Sequence, residues 1–80
     1  MHLLHLARRF FGSLRPGGPR PADQAWAESQ LLPGEAAIWK DLPAADRRHS
    51  VMVARRVQAS LGAEANRPVL AAALLHDVGK

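Results

Sequence analysis

The residues best suited to chemistry stand near the end of this 80-residue chain, where His76 and Asp77 close an apolar run over 69–75. A buried His–Asp pair costs free energy unless each group is hydrogen-bonded, ion-paired or bound to a metal. His49, upstream, offers a second imidazole. Nitrogen and oxygen ligands together suit iron, manganese, zinc or nickel better than calcium. These residues therefore predict a divalent-metal site with His49, His76 and Asp77 as ligands.

Such a site would suit phosphoryl chemistry. A divalent ion lowers the pKa of a bound water and polarises a phosphoryl oxygen. Neighbouring residues on a helix point about 100° apart, but at a helix end both His76 and Asp77 can reach one ion. Lys80 follows at a position that suits contact with a phosphate, although a lysine after a helix also complements the helix dipole. The predicted catalytic residues are His76, Asp77 and Lys80, and the predicted cofactor is Mn, Fe, Mg, Ni or Zn.

The elements that position these residues are predicted to be helices only. Asp23 suits the cap of a helix over 24–31, and Pro33 suits the first turn of a second helix ending at Lys40. Trp26, Trp39 and Ile38 are expected to anchor the core. No alternating strand pattern occurs, so the predicted class is all-α.

Two further helices carry the candidate ligands. The first is predicted to follow Pro43 and run to Leu61, with His49, Val53, Val57 and Leu61 in one line that faces inward. The second is predicted to start after Asn66 and end at Gly79. It is apolar all round, which predicts that other helices surround it. Arginines 47, 48, 55 and 56 are expected to be solvated, with Arg47 and Arg48 as alternative contacts for an anionic substrate.

Charge and composition separate an N-terminal arm from the domain. Residues 1–20 carry four arginines and no acid, whereas seven basic and seven acidic residues balance from Pro21 onward. A short amphipathic helix over 3–11 and a Pro/Gly-rich linker over 15–21 are predicted, so the division is 1–21 and 22–80. The arm is a weak candidate for polyanion contact. No apolar run approaches the roughly 20 residues that span a bilayer. Cysteine is absent, which is compatible with the predicted cytoplasmic location.

One known family has a pattern that this sequence resembles. The HD-domain superfamily of metal-dependent phosphohydrolases combines a lone histidine, a later His-Asp pair and a distal aspartate. The matching residues here are His49-Ser50 and the run Ala-Ala-Leu-Leu-His-Asp-Val-Gly-Lys at 72–80. The resemblance covers 46–80. It implies that His49, His76 and Asp77 bind metal, that Lys80 neighbours the phosphate, and that a helical domain cleaves phosphoester or phosphoanhydride bonds, often in nucleotides.

The family's last aspartate ligand has no counterpart at a matching position. Asp23, Asp41 and Asp46 all precede the pair, and Asp46 is at most a neighbour of the ligands. We therefore expect three of four ligands here, in the N-terminal part of an HD-type domain that is inactive alone. Two other functions fit the sequence. One is a non-catalytic helical signalling or scaffold module, and the other is a small basic protein that binds nucleic acid or membrane through residues 1–20.

Overall fold

The computed structural model describes residues 18–79, and 74% of these positions are helical. The described residues form no strand, so the predicted all-α class is confirmed. The elements are α1 (Pro21–Ser29), α2 (Pro33–Lys40), α3 (Ala44–Leu61), a 3-10 turn (Gly62–Glu64) and α4 (Arg67–Leu74). The amphipathic helix predicted over 3–11, most of the linker and Lys80 lie outside the described residues. Among the helices of 18–79, none is both long and apolar enough to cross a membrane.

Prolines decide where the first two helices begin. Pro21 occupies the first helical position of α1, so the prediction that Asp23 caps this helix is wrong. Asp23 lies in the first turn instead, where a carboxylate still favours the positive end of the helix dipole. Pro33 begins α2 as predicted, because its fixed φ suits a first turn. The Glu35 carboxylate accepts a hydrogen bond of 2.8 Å from the Leu32 N–H, which satisfies one donor at that helix end.

Local signals also set the ends of α3 and the start of α4. Gly62 follows α3 with φ +56°, as expected for a glycine that terminates a helix. The Asn66 side chain accepts a hydrogen bond of 3.1 Å from the Val69 N–H, so the predicted cap is confirmed. The predicted end at Gly79 is wrong, because α4 ends at Leu74. Turns with shorter-range bonds follow, including a bond of 3.0 Å from the Val78 N–H to the Leu75 carbonyl.

The core lies where α3 meets α4 and the two shorter helices. Trp39 and Leu74 are its largest fully buried side chains. The prediction of Trp39 as a core anchor is therefore confirmed, and Trp26 packs half-buried against the core. The same prediction for Ile38 is wrong, because Ile38 is 51% exposed. The core cluster consists of Ala27, Leu31, Trp39, Val51, Ala54, Ala71 and Leu74. The last helix is not enclosed on all sides, since Ala72 is exposed.

The inward face of α3 differs from the predicted one. Ser50, Val51 and Ala54 are its buried residues, whereas Leu61 is 43% exposed and His49 is also exposed. The helix is therefore rotated by about one residue, or about 100°, from the predicted line. The rotation places small side chains against the Trp39 indole and α4, where close packing needs them. His49 consequently lies beside the packed face and points toward solvent.

Candidate metal centre

Packing of α3 against α4 brings the three predicted ligands together. His49 comes from the second turn of α3, while His76 and Asp77 come from the turn that follows α4. Each side chain offers one ligand atom, and these atoms lie within 4.8 Å of one another. The ring centroids of His49 and His76 are 5.8 Å apart and their planes are inclined by 53°. The spacing from 49 to 76 thus corresponds to a real cluster.

A backbone carbonyl orients the His76 ring. Nδ1 of His76 lies 2.7 Å from the Ala73 carbonyl oxygen. Because a carbonyl only accepts hydrogen bonds, Nδ1 must carry the proton and donate it. In a neutral ring, Nε2 then holds a lone pair that is free to bind a cation. Histidines that bind metals are commonly held in this way by a hydrogen bond from the other ring nitrogen.

The His76 and Asp77 side chains face each other across a short distance. Nε2 of His76 lies 3.2 Å from Oδ2 of Asp77. With a neutral ring, both atoms are acceptors, so a cation placed between them could be bound by both. Their side chains are 36% and 23% exposed. If the ring is protonated, the result is a partly exposed ion pair, which contributes only about 0–1 kcal/mol to stability.

The donor set and its spacing fit a divalent transition ion. Nitrogen and oxygen ligands bind zinc at about 2.1 Å, so two ligands of one ion lie at most about 4.2 Å apart. The ligand atoms here all lie within 4.8 Å of one another, which is close to that limit. His49 is exposed, so its ring can adjust toward an ion without disturbing the core.

Asp46, Arg47 and Lys80 are also predicted to be in or near the site. Asp46 does not belong to the cluster formed within 18–79, and Lys80 lies outside the described residues. Arg47 is half-buried, and its Nη1 donates to the carbonyls of Leu42 at 2.6 Å and Lys40 at 3.3 Å. The expectation that Arg47 is solvated is therefore wrong, because it caps the carboxyl end of α2.

One contact in the cluster could not be expected from residue types. The Ala73 carbonyl belongs to the backbone, which gives no signal of its own in a sequence. Its position three residues before His76 is the spacing of neighbours on a helix or tight turn, and only that spacing indicates the contact.

Comparison with protein families, with curated proteins and with solved structures found no match. The resemblance to the HD-domain superfamily therefore stays a prediction from the sequence.

Proposed function

We propose that this chain is part of a metal-dependent phosphohydrolase of the HD type, which acts on a phosphoester or nucleotide-like substrate. The observation that carries the proposal is the orientation of His76. Its Nδ1 is engaged by the Ala73 carbonyl, and its Nε2 faces the Asp77 carboxylate at 3.2 Å. His49 completes a group of three ligand atoms within 4.8 Å of one another. The predicted cytoplasmic location remains a prediction.

The chain's own residues would each have a distinct role. His49 and His76 would hold the ion through nitrogen, and Asp77 would offset part of its charge. A bound divalent ion supplies a Lewis acid for a phosphoryl oxygen and a water of lowered pKa. The Ala73 carbonyl keeps the His76 ring in the correct tautomer and orientation. Lys80 is proposed to contact the phosphate. The resemblance implies a fourth ligand, an aspartate after Lys80 in sequence order.

Metal affinity tests the proposal most directly. The 80-residue chain is titrated with Mn²⁺ and, separately, with Zn²⁺, and free and bound ion are measured. We expect weak binding, because three protein ligands are present. His49→Ala, His76→Ala and Asp77→Ala should each lower the affinity by at least about 10-fold, because each removes a ligand that no neighbour replaces. Asp41→Ala is the matched control, since this exposed carboxylate lies outside the cluster.

Two outcomes of the metal titration separate the possibilities, and a hydrolysis assay tests the activity. Unchanged affinity in His76→Ala and Asp77→Ala would contradict the proposal and favour the non-catalytic helical module. Tight binding that Asp46→Ala abolishes would show that Asp46 had become the fourth ligand. Hydrolysis of bis(p-nitrophenyl) phosphate is the activity assay. It should be negligible for the 80-residue chain and metal-dependent in a form that also carries the fourth ligand, where any of the three alanine variants should abolish it.

A further inference from the structure

We call His49, His76 and Asp77 together the metal cluster. A separate basic groove runs along α3, and none of these three residues lines it. It has a volume of about 990 Å³ and lies between α3 and the segment that leads into α1. Four arginines line it, and Asp23 is the one acidic residue among its lining residues. We call this feature the arginine groove. The arginines are Arg20, Arg48, Arg55 and Arg56.

The single carboxylate does not neutralise the arginine groove. Oδ1 of Asp23 lies 3.1 Å from Nη2 of Arg55, and Oδ2 lies 4.0 Å from Nε of Arg20. One acid is therefore shared between two arginines. Arg56 has no acidic partner within ion-pair distance in the described part of the chain. A surface of this kind attracts anions.

Apolar side chains also line the arginine groove, and they narrow the class of anion that would bind there. Val51, Met52 and Ala59 line it between the arginines, and Met52 is 48% exposed. An exposed methionine is a flexible and polarisable surface, which suits contact with an aromatic ring. A ligand that carries both phosphate and a planar apolar group would therefore use the whole groove. Its volume lies at the upper end of the range of roughly 300–1,000 Å³ that is typical of small-molecule sites.

Two contacts hold the groove in shape before a ligand arrives. The Arg55 guanidinium carbon lies 3.8 Å from the Trp26 ring centroid, and Nη2 of the same group lies 3.1 Å from Oδ1 of Asp23. At Gly18, which also lines the groove, an added Cβ would lie 2.7 Å from Nη2 of Arg47. The chain therefore passes close over the Arg47 guanidinium, which the Leu42 carbonyl holds in place. A preorganised site loses less entropy on binding.

We propose that the arginine groove binds an organic phosphate of the nucleotide type. The phosphates would bind to the guanidinium groups, whose planar forks match phosphate oxygens. The base would lie against Met52. None of the groove's lining residues belongs to the metal cluster, so the proposal does not rest on the proposed hydrolytic function. A polynucleotide is a less suitable ligand, because the groove is of small-molecule size.

The test is an ATP titration of the 80-residue chain in EDTA. Calorimetry and the fluorescence of Trp26 and Trp39 measure the binding. We expect saturable binding of one ATP, with adenosine and tripolyphosphate each bound at least several-fold more weakly. Arg56→Gln should weaken ATP binding by about 10-fold, because it removes a charged phosphate contact. Arg67→Gln should leave it unchanged, because this exposed arginine on α4 lies outside the groove.

Several results would overturn the proposal. Equal weakening by Arg56→Gln and Arg67→Gln would indicate nonspecific charge attraction. Equal affinity for tripolyphosphate and ATP would show that the apolar lining residues of the groove contribute nothing to binding. Much tighter binding of a single-stranded oligonucleotide, or of phosphatidylserine vesicles, would assign the surface to a macromolecule or membrane. Finally, His76→Ala should retain ATP binding in EDTA, and loss of binding in that variant would place the ligand at the metal cluster instead. Circular dichroism checks that every variant folds.

Discussion

The Trp39 indole N–H donates a hydrogen bond of 2.9 Å to the Ser50 hydroxyl oxygen, and both side chains are fully buried. The Ser50 hydroxyl donates in turn to the Arg47 carbonyl at 2.9 Å. The first bond joins α2 to α3, the second lies within α3, and together they satisfy the buried polar atoms of both side chains. Because Ser50 is thereby fixed against Trp39, the preceding residue, His49, lies outside the core and close to His76 and Asp77.

Ser50→Ala should lower the free energy of unfolding by about 1–3 kcal/mol, because it leaves the Trp39 N–H buried without an acceptor. Urea denaturation followed by circular dichroism measures the change. Ser60→Ala is the matched control, since Ser60 is exposed on the same helix, and its effect should be within about 0.5 kcal/mol. A double-mutant cycle with Trp39→Phe should show a coupling energy between the two positions, and additive effects would contradict the role given to this bond.

The helix ends that the sequence indicated correctly are those set by local chemistry. Pro33, Asn66 and Gly62 act through their own backbone or side chain within one turn, so neighbouring elements hardly affect them. The cap assigned to Asp23 fails for a local reason as well. Pro21 already suits a first helical position, and the helix therefore begins before Asp23.

The rotation of α3 could not be read from spacing. A period of four residues fits the line through His49 and Val53 as well as the neighbouring line through Ser50 and Ala54. The choice between them depends on the Trp39 indole, whose hydrogen bond selects Ser50, and this is a tertiary contact. The residue types already indicate His49, His76 and Asp77 as ligands of one ion, and the family resemblance supports the same set. Residue spacing alone did not indicate that the pair would lie in a turn after α4.

Leu74→Ala should be among the most destabilising single substitutions in the described part of the chain. Leu74 is the last residue of α4 and is 0% exposed, so truncation leaves a cavity in the core cluster. Leucine-to-alanine changes at such positions cost about 2–5 kcal/mol. Leu61→Ala provides the comparison, because this leucine is 43% exposed at the end of α3, and it should cost much less. Equal losses of unfolding free energy would show that α4 does not pack as described.

Two glycine substitutions should change stability in opposite directions. Gly62 has φ +56°, a conformation in which a side chain is strained, so Gly62→Ala should lower the free energy of unfolding by about 1 kcal/mol. Gly34 lies in the first turn of α2, and an added Cβ would meet nothing within 4 Å. Gly34→Ala should therefore raise stability by about 0.4–1 kcal/mol, because it restricts the unfolded chain. Thermal and urea unfolding of both variants measure the pair, and effects of the same sign would contradict the assigned backbone conformations.

The stoichiometry of metal binding should show whether His49 and His76 bind the same ion. Their ring centroids are 5.8 Å apart, and the ligand atoms of the cluster lie within 4.8 Å of one another. We therefore expect one Zn²⁺ per cluster, and either His49→Ala or His76→Ala should weaken that single binding event by at least about 10-fold. Two independent surface histidines would behave differently, since each substitution would remove one event and leave the affinity of the other unchanged.

Calorimetry with Zn²⁺ on both single variants and on the His49→Ala/His76→Ala double variant distinguishes these cases. Residues 1–17 contain His2 and His5, so a variant with both replaced by alanine serves as the background for every titration. On that background the double variant should bind no Zn²⁺ at the cluster, because Asp77 alone provides a single ligand. Retention of a full binding event in the double variant would show that the ion binds elsewhere, and that the closeness of the two rings has no part in holding it.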